Sequence, residues 1–134
     1  MLYSIAILGD DSRVAAWTPA EESEVMDRHT QLRRKLTAAG SLGPVMRLQT
    51  TATKTVRRYS DRKYITDGPF AETKEQLLGI YVVDVPTFED AVAATELLNF
   101  EGGVFEISPL IWLSVGAVPE MIPEGEICTA RPKE

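Results

Sequence analysis

The run LLGIYVVDV, residues 77–85, constrains the fold more than any other stretch of the chain. Alternate residues of a strand face opposite sides of a sheet. Here both sets are apolar: Leu77, Tyr81, Val83 and Val85 on one side, Leu78, Ile80 and Val82 on the other. Such a strand must be covered on both faces. The 134 residues suffice for one domain with one core, so the cover has to come from a few helices or from a second subunit.

Two helices are legible. Thr18, Pro19 and Glu21 combine a cap, a proline at the first helical position and a capping-box acid, and the helix is expected over 18–39, where Gly40 ends it. Its inward stripe is Val25, Leu32 and Leu36, with Met26 alongside, and the chain's one histidine, His29, falls on that stripe. The second helix is expected over 87–99, capped by Thr87 with Asp90, and turns Phe88, Ala91, Val92, Thr95 and Leu98 inward.

Strands fill the spaces between. Residues 2–8 form a compact apolar run ended by Gly9, and 45–48 read as a short strand or an extended lead-in. A β-branched strand over 53–59, the turn Ser60-Asp61-Arg62 and a return over 63–66 make a hairpin. After the Asp67-Gly68 bend comes a helical turn at 71–76, then the 77–85 strand. Following the turn Glu101-Gly102-Gly103, the last strand spans 104–113 and tolerates Pro109 only at an edge or bulge. The order is βαββαβ: an α+β fold with two helices on one face of an antiparallel sheet. The other face of 77–85 then lacks intrachain cover, which predicts a homodimer. Residues 114–134, with three prolines and four glutamates, read as an extended arm laid on that partner.

Charge and composition narrow the function. A net charge of −6 argues against a nucleic-acid partner, whose phosphates call for clustered cations. Cys128 is the one cysteine, so neither an intrachain disulfide nor a Cys/His metal site is expected. No Gly-rich phosphate loop points to a nucleotide, and no cofactor or metal is expected. The apolar run at 2–8 is too short for a signal segment or a membrane span, which places the protein in the cytoplasm with no membrane partner.

The stretch TDGPFAETKEQLLGIYVVDV closely resembles the DGPF signature of the YCII-related proteins, and DRHTQLRRKLTAAG looks like that family's first helix, with a histidine where His29 stands. The resemblance covers about residues 2–113. It implies a ferredoxin-like unit that pairs sheet to sheet into a dimeric α+β barrel. It also implies kinship with small cofactor-free enzymes such as muconolactone isomerases, and association with extracytoplasmic-function sigma factors. Two positions depart from the family pattern. Leu78 stands where a glycine is common, and Ile107-Ser108 replaces the arginine-containing end of an EVRP motif.

Candidate site residues follow from chemistry and from this resemblance. His29 is either a packed helix residue or a general acid/base, since imidazole titrates near neutral pH. Asp67 opens a rigid Gly-Pro bend and either caps that turn or orients His29 as its partner. Arg57 and Arg58 lie on opposite faces of their strand, and either suits a substrate anion. Tyr81 and Phe70 are substrate-contact candidates, while Tyr3, Tyr81 and Trp112 read as core packing or as a pocket wall. Three functions stay open: a cofactor-independent lyase or isomerase for a small molecule, a non-catalytic ligand-binding or sigma-factor-associated dimer, and a plain structural dimer.

Overall fold

The computed structural model describes residues 1–70 and 75–116. Six strands and three α-helices follow in the order β1 (Leu2–Gly9), α1 (Asp11–Ala15), α2 (Pro19–Ala38), β2 (Leu42–Arg47), β3 (Lys54–Tyr59), β4 (Arg62–Asp67), β5 (Gln76–Asp84), α3 (Phe88–Leu97) and β6 (Val104–Pro109). A four-stranded antiparallel sheet has the order β2-β5-β1-β6, which is the ferredoxin-like arrangement. The hairpin β3–β4 forms a separate two-stranded sheet. No described helix is long and apolar enough to cross a membrane.

The helix ends are where the sequence places them. Thr18 accepts from the Glu21 amide, and Pro19 occupies the first turn. At the other end Gly40, with φ of 68°, lets Ser41 N–H reach the Leu36 carbonyl at 2.8 Å and Gly40 N–H reach Thr37 at 3.0 Å, a double closure of the last turn. Thr87 and Asp90 close a full capping box on α3. A short helix, α1, was not expected. Asp10 starts it by accepting from the Ser12 amide and hydroxyl, which also holds its carboxyl below the ordinary range.

Several boundaries and faces differ from expectation for physical reasons. The second strand of the sheet is not part of the hairpin. It is β2, whose Gly43-Pro44 start hides it from a propensity reading. Proline lacks an amide hydrogen, and β2 tolerates it as an edge strand with irregular pairing between Leu42 and Val45. Pro109 likewise lies on the edge strand β6, which ends there rather than at 113, although Leu110 N–H still bonds the Leu2 carbonyl at 2.9 Å. Phe88, expected inward, is the first residue of α3 and is 49% exposed; Ala94 takes its place in the buried stripe. Trp112 is 79% exposed and belongs to no core. The helical turn expected at 71–76 mostly lies outside the described residues, and Gln76 opens β5.

The central strand holds a β-bulge. Ile7 pairs with Gly79 but Leu8 pairs with Leu77, so Leu78 is the extra residue. The bulge reverses the expected sides at this end. Leu78 packs on the core against Gly9 and Phe100, whereas Leu77 lies beside Leu8 on the helix-free face. The core forms where Tyr3, Ile5 and Ile7 of β1 and Tyr81 and Val83 of β5 meet Leu32 and Leu36 of α2, Ala91 and Ala94 of α3, and Leu98, which caps α3. The opposite face bears Ala6, Leu8, Met46, Ile80, Val82 and Val104 and carries no helix among the described residues.

Gly79 must remain glycine, because a Cβ there would stand 2.6 Å from the Met46 carbonyl oxygen. Gly79→Ala is therefore expected to push β2 off β5 and cost about 2 kcal/mol or more. Thr87→Ala, which removes the α3 cap, should cost about 1 kcal/mol. Urea denaturation of both variants checks the order.

Candidate functional site

Helix α2 lies over the sheet with Val25, Leu32 and Leu36 buried, and His29 shares their side at half burial. The i, i+4 spacing from Val25 to His29 makes that placement unavoidable once the stripe is buried. Directly beneath stands Tyr81, 1% exposed, at the middle of β5 between Ile5 and Val45. The His29 Nδ1 and Tyr81 Oη atoms are 2.7 Å apart, and the two rings stack with centroids 5.8 Å apart and planes 20° from parallel. One proton is shared between imidazole and phenol. Burial explains the pairing, since a phenol removed from water needs a hydrogen-bond partner and this one finds it in the helix above.

Cations and a thioether flank this pair. Thr30 donates to the Met26 carbonyl at 3.1 Å, Arg33 Nη2 donates to Thr30 Oγ1 at 3.4 Å, and Arg47 of β2 lies 4.0 Å from the Met26 sulfur and 4.0 Å from Glu22. Arg33 and Arg47 thus approach from two elements on the β2 side of α2. Arg33 is four residues beyond His29 and therefore on the same helix side. That spacing was the available signal. Arg47 had none, because its position depends on the β2–β5 pairing.

The remaining candidates sit on the hairpin. Asp67 ends β4; its carboxylate is 93% exposed and lies 4.0 Å from Lys54 Nζ across the strands. The bend after it has the expected form: Gly68 has φ of 89°, its N–H reaches the Thr53 carbonyl at 2.8 Å, and Thr55 donates to its carbonyl at 2.7 Å. Arg57 holds its guanidinium 4.7 Å above the Phe70 ring. Arg58 points to the other face, beside Lys63. Within the protomer, then, His29 meets Tyr81 and Arg57 meets Phe70, while Asp67 lies beside Lys54 and not beside His29.

A separate concavity lies elsewhere among the described residues. It is a groove of about 420 Å³ lined by Arg13, Trp17, Glu24, Arg28 and Phe100. Its charges are spent internally: Arg28 bonds both Glu24 and the Asn99 carbonyl, and Arg13 lies 3.9 Å from Glu101. Size alone does not make it the site, and the buried imidazole–phenol pair has the stronger chemical claim.

The model of the YCII-related domain matches residues 1–113. The chain belongs to the YCII-related family. It is also 41% identical over 123 residues to an uncharacterized protein of Rhizobium meliloti strain 1021, covering 89% of this chain and 99% of that one. Within this YCII-related fold the departure at Leu78 has a structural meaning, since that residue fills the bulge against the core.

Tyr81→Phe deletes only the phenolic oxygen. It should cost about 1 kcal/mol, the usual size for a hydrogen bond of this kind. It should also move the Nδ1 resonance of His29 in nitrogen-15 NMR, and an unmoved resonance would remove the pairing.

Proposed function

We propose that the protein is a cofactor-independent lyase or isomerase that moves a proton on a small, aromatic or enone-like molecule. The observation that supports this best is the 2.7 Å contact between His29 Nδ1 and Tyr81 Oη, half-buried between α2 and β5. A phenol bound at Nδ1 fixes the orientation of the ring, so the imidazole works as acid or base through the opposite nitrogen. Arg33, four residues beyond His29 on α2, and Arg47, against Met26 of the same helix, suit developing negative charge on a substrate oxygen. Arg57 stacked on Phe70 offers a planar cation and an aromatic face to an anionic ring, and Arg58 offers a second cation on the reverse side. Asp67 is assigned the role of an orienting or proton-returning carboxylate, although within the protomer its neighbour is Lys54 and not His29.

The working unit in this reading is a cytoplasmic homodimer. Its support is the helix-free sheet face with Met46, Leu77 and Val104 about two-fifths exposed, together with Ile111, Trp112 and Val115, which are exposed beyond β6. Covering apolar surface yields roughly 25 cal/mol per Å², enough over a standard interface to outweigh the repulsion of two acidic protomers. Residues 117–134, the larger part of the expected arm, lie outside the described residues. A second reading, a ligand-binding dimer that contacts an extracytoplasmic-function sigma factor, has its support in the exposed β3–β4 hairpin.

Turnover is to be sought in a panel of phenols, lactones and enones in deuterated water, with deuterium incorporation as the readout. His29→Ala should lower kcat by about a hundredfold or more and should cost about 1–3 kcal/mol of stability, because it leaves the buried Tyr81 hydroxyl without this partner. Tyr81→Phe should lower it less, and Asp67→Asn should lower it if the carboxylate acts on the reaction. A panel that binds without exchange, in protein that is folded and dimeric, favours the binding module. Light scattering at micromolar concentration should give twice the protomer mass.

A further inference from the structure

Among the described residues no element covers the hairpin β3–β4. It pairs only with itself, and every residue of β4 is exposed. Two-stranded hairpins are marginal in water unless a face is packed against something. Its two faces differ in chemistry. Lys54, Val56, Arg58, Lys63, Ile65 and Asp67 share one, while Thr55, Arg57, Tyr59, Arg62, Tyr64 and Thr66 share the other. The second face contains no acid. Tyr59 and Tyr64 meet edge to face there with centroids 6.1 Å apart, at 61% and 47% exposure, and Arg62 beside them meets no carboxylate among the described residues. Tyrosine and arginine are the residue types that anchor protein interfaces.

Charge identifies what would sit on that face. Residues 54–67 hold five of the chain's 14 Lys and Arg but two of its 20 Asp and Glu. Nine cations and 18 acids remain elsewhere, so a hairpin of net charge +3 projects from a body of net charge −9. That body also contains a largely apolar sheet face with two carboxylates, Asp84, which the N-terminal ammonium meets at 2.9 Å, and Glu106. Glu106 of β6 pairs with Ala6, whose other neighbour is Ile80, with Leu8 and Val104 at the next open-face position, and among the described residues it meets no cation. Any protein that covers this face must bring a positive group to Glu106, because an unpaired buried carboxylate is far costlier than a paired one.

We propose that the hairpin of one protomer docks its Tyr59–Arg62–Tyr64 face on the helix-free sheet face of a second copy of this chain, with Arg62 meeting Glu106. The inference rests on the dimer reading above and specifies which surfaces make it. One hairpin face falls short of the roughly 800 Å² per partner of a standard interface, but twofold symmetry seats two hairpins at once and adds the sheet surface between them. Arginine suits the role because its planar fork pairs a carboxylate with two hydrogen bonds and keeps its charge when desolvated.

Sedimentation equilibrium on the full chain tests it. Arg62→Gln should weaken the dimer about tenfold or more, while Lys63→Gln, one residue away on the opposite face, should leave it within about threefold. Glu106→Gln should weaken it as well, and adding it to Arg62→Gln should have little further effect, since the two act on one contact. Equal effects at Arg62 and Lys63, or fully additive effects at Arg62 and Glu106, overturn the contact. A dimer indifferent to Arg62 removes the docked hairpin and leaves the dimer reading standing, whereas a monomeric wild type removes both. Amide exchange on the unmodified chain gives a second readout free of folding defects. Protection in β3–β4 and β6 should rise together as concentration carries the chain from monomer to dimer, and protection confined to β6 overturns the proposal.

Discussion

Everything in this structure is referred to the pairing of β1 with β5. These two strands are central and antiparallel, and their inward residues, Ile5, Tyr81 and Val83, are almost wholly buried. The pairing determines which side of each strand the helices cover. It also contains the bulge at Leu78, which would otherwise force the whole end of β5 out of phase with the core. Because of the bulge, Leu78 and Tyr81 can both face the helices although three residues separate them. Gly79 beside it is held by a different demand, the close approach of the β2 backbone.

The candidate site is a by-product of that core. Tyr81 is there because β5 needs a large side chain under α2, and its hydroxyl then has to find a partner away from water. His29 is the residue of the α2 stripe within reach, so the group with the greatest chemical versatility in the chain is bound to one of its most buried side chains. A functional reading and a packing reading of His29 are therefore not alternatives: the same hydrogen bond satisfies the core and orients the imidazole. The hairpin stands apart from this economy. It contributes little to the core, concentrates cations on an acidic protein and keeps its aromatic residues in water, which are features of a surface used for contact rather than for stability.

Membership of the YCII-related family constrains these conclusions less than the geometry does. Its match spans the sheet, the helices and the hairpin, and the relative from Rhizobium meliloti covers nearly the same extent without an assigned activity. Fold does not specify chemistry, so residues such as Arg33, Arg47 and Tyr81 weigh more in assigning a reaction than the shared architecture.

What the amino-acid order determined by itself was local or periodic. Both long helices, their caps, the glycine that ends α2, the Gly68 bend and the βαββαβ order are legible because each rests on residues within a few positions of one another. The identity of His29 as a site candidate belongs to the same class, since the helical period alone turns it toward the sheet. Tertiary structure decided the rest. The role of β2 as the second strand, the side taken by Leu77 and Leu78, the exposure of Phe88 and Trp112, and the choice of Tyr81 rather than Asp67 beside His29 within the protomer all depend on strand pairings between distant segments. Register is a property of two chains of residues at once, and a one-residue bulge in either reverses faces in a way that no period within one strand records.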